Sequence, residues 1–328
     1  MRAALDVAGC VELARVERSG MAESRHLGAA TVVAPDGTVL RSLGDTSALI
    51  YPRSSLKPLQ AIAVLRAGAP LDGARLVLAS ASHVGSPRHV EVVRAILAEA
   101  GLGEDDLQCP VDWPGGRYRD DLVRAGEGPG RIYMNCSGKH AAFLLACRTK
   151  GWSTDDYLDP THPLQVLIRE TVEDFTGEPV EHTGIDGCGA PVHATSLTGL
   201  ARAMGRISGA GSGDAARLTA AILADPWAID GPGRPNATVI EQLGLVAKLG
   251  AEGVLAMGTP SGTAVAVKIL DGSQRARTLV ALELLVDAGE VDRADADRVL
   301  GELVAPVLGG AQVVGALVRA FPVPDKGL

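Results

Sequence analysis

Long hydrophobic runs are missing from this 328-residue sequence. No stretch approaches the roughly 18–20 apolar residues that a bilayer-crossing helix needs. Positive charge is in deficit: 31 Lys and Arg stand against 39 Asp and Glu, a net charge of −8. That balance argues against nucleic acid or an anionic membrane as the main partner. Cysteine is scarce and odd in number, with five scattered residues: Cys10, Cys109, Cys136, Cys147 and Cys188. The first twenty residues, MRAALDVAGCVELARVERSG, meet acidic side chains almost at once and make a poor signal peptide. A cytoplasmic protein is therefore expected, its cysteines thiols or ligands instead of a disulfide framework. Lysine is also rare, supplying six of the 31 basic residues. What remains is ordinary: 46% hydrophobic and 21% charged residues describe a globular chain, long enough for a sizeable core.

Turn and periodicity signals order the chain. GAATVVAPDGTVL (28–40) reads as a β-hairpin about a PDG turn, and ALIYPR (48–53) as an extended continuation. From Ser54 the pattern turns helical and stops at Gly68, with Pro58 tolerated only in the first turn. RLVLASASH (75–83) is an apolar run ending in a polar cluster, and 89–102 is an amphipathic helix closed by Gly101. Residues 109–131 read as a Pro/Gly-rich loop. Helices follow over 139–151, 162–177, 193–206 and 214–224. GTAVAVKILDG (262–272) alternates like a strand, 277–289 is helical, and 312–323 suits a last strand. The economical solution is a single α/β (α+β) unit. Residues 1–52 and 250–328 build a sheet, and a mainly helical 53–249 packs beside it.

Three motifs carry chemistry. RSSLKPLQA (53–61) holds an S-x-x-K, Ser54 and Lys57, at a helix start, where i,i+3 geometry brings amine and hydroxyl together. A serine needs a base to become a nucleophile, and a buried lysine with a lowered pKa supplies one. The plainer alternative is a helix cap followed by a solvated lysine, since 16 serines and six lysines give roughly 0.3 such matches by chance. Ser82 and His83 close the apolar run at 79–83, either as turn residues or as functional groups on a rigid scaffold. Lys268 interrupts AVAVKIL on the face shared with Ala264 and Ala266, either solvated or pointing into a site. In NCSGKHA (135–141), Cys136 and Lys139 share a helix start, and GIDGCGAP (184–191) places Cys188 in a Gly-rich turn two residues after Asp186. Three readings stand open there: a thiolate nucleophile, two buried free cysteines, or a zinc site completed by lysine, His140 or water.

The ordered set RSSLKPLQA, ASASH, NCSGKH, DPTHPLQ, GIDGCGAP and VKILDG, with ESRHLGA before it, resembles the L-asparaginase II family of the rhizobial type (class 3 asparaginases) from about residue 17 to the C-terminus. The resemblance implies a fold similar to serine β-lactamases and serine-dependent glutaminases. It implies Ser54 and Lys57 as nucleophile and base, with Ser82 and Lys268 as a second catalytic serine and lysine. Cys136, Lys139 and Cys188 match the family's zinc ligands, completed by water and with Asp186 alongside. Arg53, His83 and Asp186 are the candidates for binding substrate, and a homodimer is the family expectation. The implied reaction converts L-asparagine to L-aspartate and ammonia. The alternatives are another small amide such as glutamine, a lactam, or a silent zinc- or amino-acid-binding homologue. Three positions depart from the family pattern: Ser86 stands where a glutamate is usual, Asp112 near a usual histidine, and GPGRPNAT (231–238) carries an extra residue.

Overall fold

A computed structural model describes residues 2–323. The chain begins with two long strands, β1 (Val11–Arg18) and β2 (Met21–Val33), and β2 turns through Pro35-Asp36-Gly37 into β3 (Val39–Leu43). The expected hairpin forms with Val33 opposite Val39, and the Asp36 carboxylate accepts the Thr38 N–H at 2.9 Å. After the short β4 (Leu49–Ile50) comes a 3₁₀ turn at Arg53–Leu56, then α1 (Lys57–Arg66). Every residue of α1 from Lys57 to Leu65 is buried, and Pro58 sits in its first turn as the missing N–H allows.

The middle is helical: α2 (Gly73–Ala79), α3 (Pro87–Glu99), α4 (Arg117–Ala125), α5 (Ser137–Lys150) and α6 (Pro163–Thr176). Short strands β5 (Thr183–Ile185), β6 (Pro191–His193) and β7 (Thr195–Ser196) precede α7 (Leu197–Ser208), α8 (Gly213–Ala224) and α9 (Pro235–Leu243). Two segments differ from expectation. The loop over 109–131 contains α4, an amphipathic helix with no buried residue, hidden from a reading weighted toward its flanking Pro and Gly. The apolar run after Arg75 is helix α2, buried from Leu76 to Ala79, and so short a run does not reveal its period. Ser86, at the departure from the family pattern, caps α3 by accepting the His89 N–H at 3.3 Å.

Strands return with β8 (Val246–Leu249), β9 (Val254–Gly258) and β10 (Ala264–Ile269), then α10 (Arg277–Asp287), α11 (Arg293–Leu303), β11 (Val307–Gly309) and β12 (Gln312–Arg319). The antiparallel sheet runs β11-β12-β1-β2-β10-β9-β8, with β3 also on β2, so both ends of the chain build it. Its C-terminal share starts at Val246, slightly before the expected 250. Helix α7 lies against Ala264 of β10, and α10 also packs on β9 and β10. Among the described residues, no helix is long and apolar enough to cross a membrane.

Candidate active site

Three pieces of chain meet at one end of β8. The 3₁₀ turn is fastened there by Ser55, whose hydroxyl donates to the Lys248 carbonyl at 3.0 Å. The loop after α2 is held by Ser82 N–H to Ile229 O (2.8 Å) and His83 N–H to Asn135 O (3.1 Å). From α1, Lys57 reaches across to donate to Ala81 O (2.5 Å) and the Ser82 hydroxyl (2.9 Å). From β8, Lys248 meets the same hydroxyl at 2.8 Å and the Leu249 carbonyl at 2.9 Å. Both lysines are almost wholly buried, at 1% and 0% exposure, which ordinary surface lysines never are.

Ser54 and Ser82 line one cavity of about 380 Å³ together with Asn135, Asn236 and Gly250. Arg53, immediately before Ser54, has φ of 52°, the left-handed region that a non-glycine residue occupies only when its surroundings enforce it. Among the described residues, the Ser54 hydroxyl has no hydrogen-bond partner. The backbone N–H groups of Ser54 and Ala251 likewise have no acceptor, and both residues face the cavity. Burial first, and then the charge of Lys57, push the Lys248 amine well below the usual lysine value. Two ammonium groups within hydrogen-bond reach of one oxygen repel each other strongly, which disfavours the charged form of Lys248.

Lys268, expected beside Ser82, lies elsewhere. It pairs with Ala29 and Val254 within the sheet, and its amine donates to the Glu252 carbonyl. The expectation had the correct face and the wrong strand. Lys248 is opposite Ala256, which is opposite Ala266, so Lys248 and Lys268 share a face of the sheet. Two strand spacings and a step of two residues put them about 12 Å apart. Lys248 also interrupts an apolar stretch, LVAKLG, so the signal that singled out Lys268 was present there too.

The second cluster forms as the spacing suggested. Cys136 stands at the residue before α5, without a capping hydrogen bond, and Cys188 sits in the turn between β5 and β6, with the Lys139 amine 3.1 Å from the Cys188 sulfur. All three side chains are buried. The facing Cys136 thiol and the Lys139 charge hold the Cys188 sulfur far below the ordinary thiol range against the opposing effect of burial. His140 is buried too, with Nδ1 on the Tyr157 hydroxyl (2.9 Å) and Nε2 left without a partner. Two thiols and an amine converging beside an unpartnered imidazole nitrogen are a donor set that fits zinc. Among the described residues no three His, Cys, Asp or Glu side chains converge on a metal position, so any such site depends on Lys139.

The remaining candidates are bonded within the fold. Arg53 Nε meets the Asp186 carboxylate at 2.6 Å, and neither residue lines the cavity. His83 does line it, but Nε2 bonds the Ser137 hydroxyl at 3.0 Å and Nδ1 accepts the Gly85 N–H at 3.1 Å. Burial, reinforced by His89 and Lys57, keeps that ring neutral.

One hydroxyl held between two buried amines, beside a second unengaged hydroxyl at the wall of the same polar cavity, is the equipment of a covalent hydrolase. The chain belongs to the L-asparaginase II family, whose model matches residues 14–319, and is an amidohydrolase of that family. No curated protein matches it significantly. Solved structures that align with it include Mglu in its native form, at 12% identity over 88% of this chain and 69% of that one, with a TM-score of 0.40. A Bacillus glutaminase aligns at 11% identity over 80% and 91% of the two chains (TM-score 0.38). A probable glutaminase from Bacillus subtilis, complexed with 6-diazo-5-oxo-L-norleucine, aligns at 13% identity over 84% and 83% (TM-score 0.35).

Proposed function

We propose that this enzyme hydrolyses the side-chain amide of L-asparagine to L-aspartate and ammonia through an acyl-enzyme on Ser54. The observation that carries the proposal is the bonding of both buried lysines to Ser82, beside an unengaged Ser54 hydroxyl in the same cavity. A proton moving from Lys57 through Ser82 to Lys248 leaves Lys57 neutral, ready to take the Ser54 proton as the oxygen attacks the amide carbon. The N–H groups of Ser54 and Ala251 are the pair available to hold the oxyanion. The Ser82 O–H then protonates the departing nitrogen and takes a proton back from Lys57, which returns that amine to its neutral form and relieves the two charges that the attack had brought together. Ammonia leaves, and water attacks the Ser54 ester with Lys57 again as base.

Zinc held by Cys136, Lys139 and Cys188 would have its charge balanced by the two thiolates and would tie the start of α5 to the turn between β5 and β6, and would not supply the attacking group. Arg53 and Asp186 brace the cysteine turn on this reading. The five free cysteines support work in a reducing compartment. Ammonia release should be abolished in Ser54→Ala, with zinc content measured in the same preparations; near-normal kcat in that variant would overturn the proposal.

One observation favours a second reading, in which Ser82 is the nucleophile: its hydroxyl touches both amines, whereas Ser54 touches none. Peptide mapping of the covalent adduct with an electrophilic asparagine analogue separates the two, since the label lands on Ser54 in the first and on Ser82 in the second.

A further inference from the structure

Four charged side chains line the cavity shared by Ser54 and Ser82: Asp112, Asp230, Arg234 and Arg277. Two of them are used by the fold. Asp230 accepts the N–H groups of Asn236 (2.9 Å) and Ala237 (3.2 Å) at the start of α9. Arg277 donates to the Gly250 carbonyl and to Gln274 Oε1 (3.0 Å), bracing the loop after β8. The other two stand exposed at the cavity wall, Arg234 acting on Asp230 through its charge alone, without a hydrogen bond or ion pair. Among the described residues, the Arg234 guanidinium makes no hydrogen bond or ion pair. Asp112 accepts only the neighbouring Trp113 N–H, on Oδ1 at 2.8 Å, which leaves Oδ2 free. Nor do Arg234 and Asp112 pair with each other, although they face the same cavity.

A free cation and a free anion held apart on one small cavity suit a ligand that carries both opposite charges. We propose that Arg234 and Asp112 read the head group of a free amino-acid amide, Arg234 taking the α-carboxylate and Asp112 the α-ammonium. This rests on the amide-hydrolase reading above and adds its specificity. Guanidinium matches a carboxylate with two parallel N–H donors, and a carboxylate oxygen accepts from an ammonium. The sequence-level candidates for the same task, Arg53 and Asp186, neutralise each other across 2.6 Å outside the cavity. Drawing them to substrate would break an ion pair whose two side chains are only partly exposed, at 26% and 12%. An asparagine within a peptide chain has neither charge, so the pair also excludes peptides.

The test compares wild type, Arg234→Gln and Asp112→Asn on three substrates. These are L-asparagine, its methyl ester (no α-carboxylate) and succinamate (no α-amine). Arg234→Gln should raise KM for asparagine by about 10-fold or more, leave kcat within about three-fold, and leave the methyl ester unaffected. Asp112→Asn should raise KM for asparagine and leave succinamate unaffected. A variant that shifts all three substrates alike, or that leaves the asparagine KM unchanged, overturns the assignment. Should wild type release no ammonia from asparagine, the activity reading fails separately, and calorimetric titration with L-aspartate and succinate still decides. Arg234→Gln must then weaken both ligands and Asp112→Asn only aspartate; any other pattern overturns the proposal.

Discussion

At the scale of single residues, the site turns on which lysine belongs to Ser82. Lys248 lies 2.8 Å from its hydroxyl, whereas Lys268 donates to a backbone carbonyl away from the cavity. Lys248→Met should therefore lower kcat/KM by at least about 100-fold, as expected when a proton-transfer group is removed. Lys268→Met should leave it within about three-fold, and steady-state ammonia release measures both. The sign of the pH dependence follows from burial. Lys248 is held below the ordinary lysine value by desolvation and by Lys57, with Asp230 and Cys136 opposing the shift and Arg277 adding to it. Its amine loses its proton as pH rises through that lowered value, and only then can it accept one through Ser82. Activity should climb on the alkaline side of an acidic limb lying below the usual lysine range. A permanently charged Lys248→Arg should show no activity at any pH. The sequence had flagged the right kind of residue in the right setting, a lysine among apolar neighbours. It could not choose between two such lysines, because the choice depends on which strand lies next to the 3₁₀ turn.

At the scale of elements, the site is a junction between the 3₁₀ turn, the loop after α2 and the end of β8. Gly250 makes the junction close enough. A Cβ there would stand 2.6 Å from the Pro52 carbonyl and 3.1 Å from the Ser55 hydroxyl. Gly250→Ala should push the turn off β8, lengthen the path from Ser54 to the lysines, and reduce kcat by 10-fold or more, by analogy with other small misplacements of catalytic groups. The same variant should lose roughly 1–3 kcal/mol of stability, read by urea denaturation. The helix starts of α1 and α5 were legible because Pro58 and the S-x-x-K and C-x-x-K spacings are local signals. Helix α4 was not, since its flanking glycines and prolines outweigh nine polar-rich residues in any local reading.

At the scale of the whole molecule, the two ends of the chain are locked together by charge as well as by strand pairing. Asp287 on α10 accepts from Arg41 on β3 (2.9 Å) and from Arg319 on β12 (2.7 Å), its own side chain only 5% exposed. Asp287→Ala leaves two partly buried guanidinium groups without that partner. It should cost about 3 kcal/mol, seen as a lowered Tm. Activity at temperatures where the variant stays folded should be unchanged, because Asp287 ends α10 about 15 Å along the helix from Arg277, the residue of α10 that lines the cavity.

The sequence by itself determined the class of architecture and the chemistry available. Strand and turn patterns at both ends, a helical middle, an S-x-x-K and a C-x-x-K with a distant cysteine are all local or composed of short segments, and local sterics and periodicity suffice to read them. Tertiary structure alone decided the partners. It set Lys248 and not Lys268 against Ser82, closed Arg53 onto Asp186, and left Arg234 and Asp112 free on the cavity. The reason is physical: strand order, register and the burial that lowers an amine's pKa arise from contacts between segments far apart in the chain, such as Ser55 and Lys248, 193 residues apart, and no spacing along the chain encodes which of two equivalent lysines they will meet.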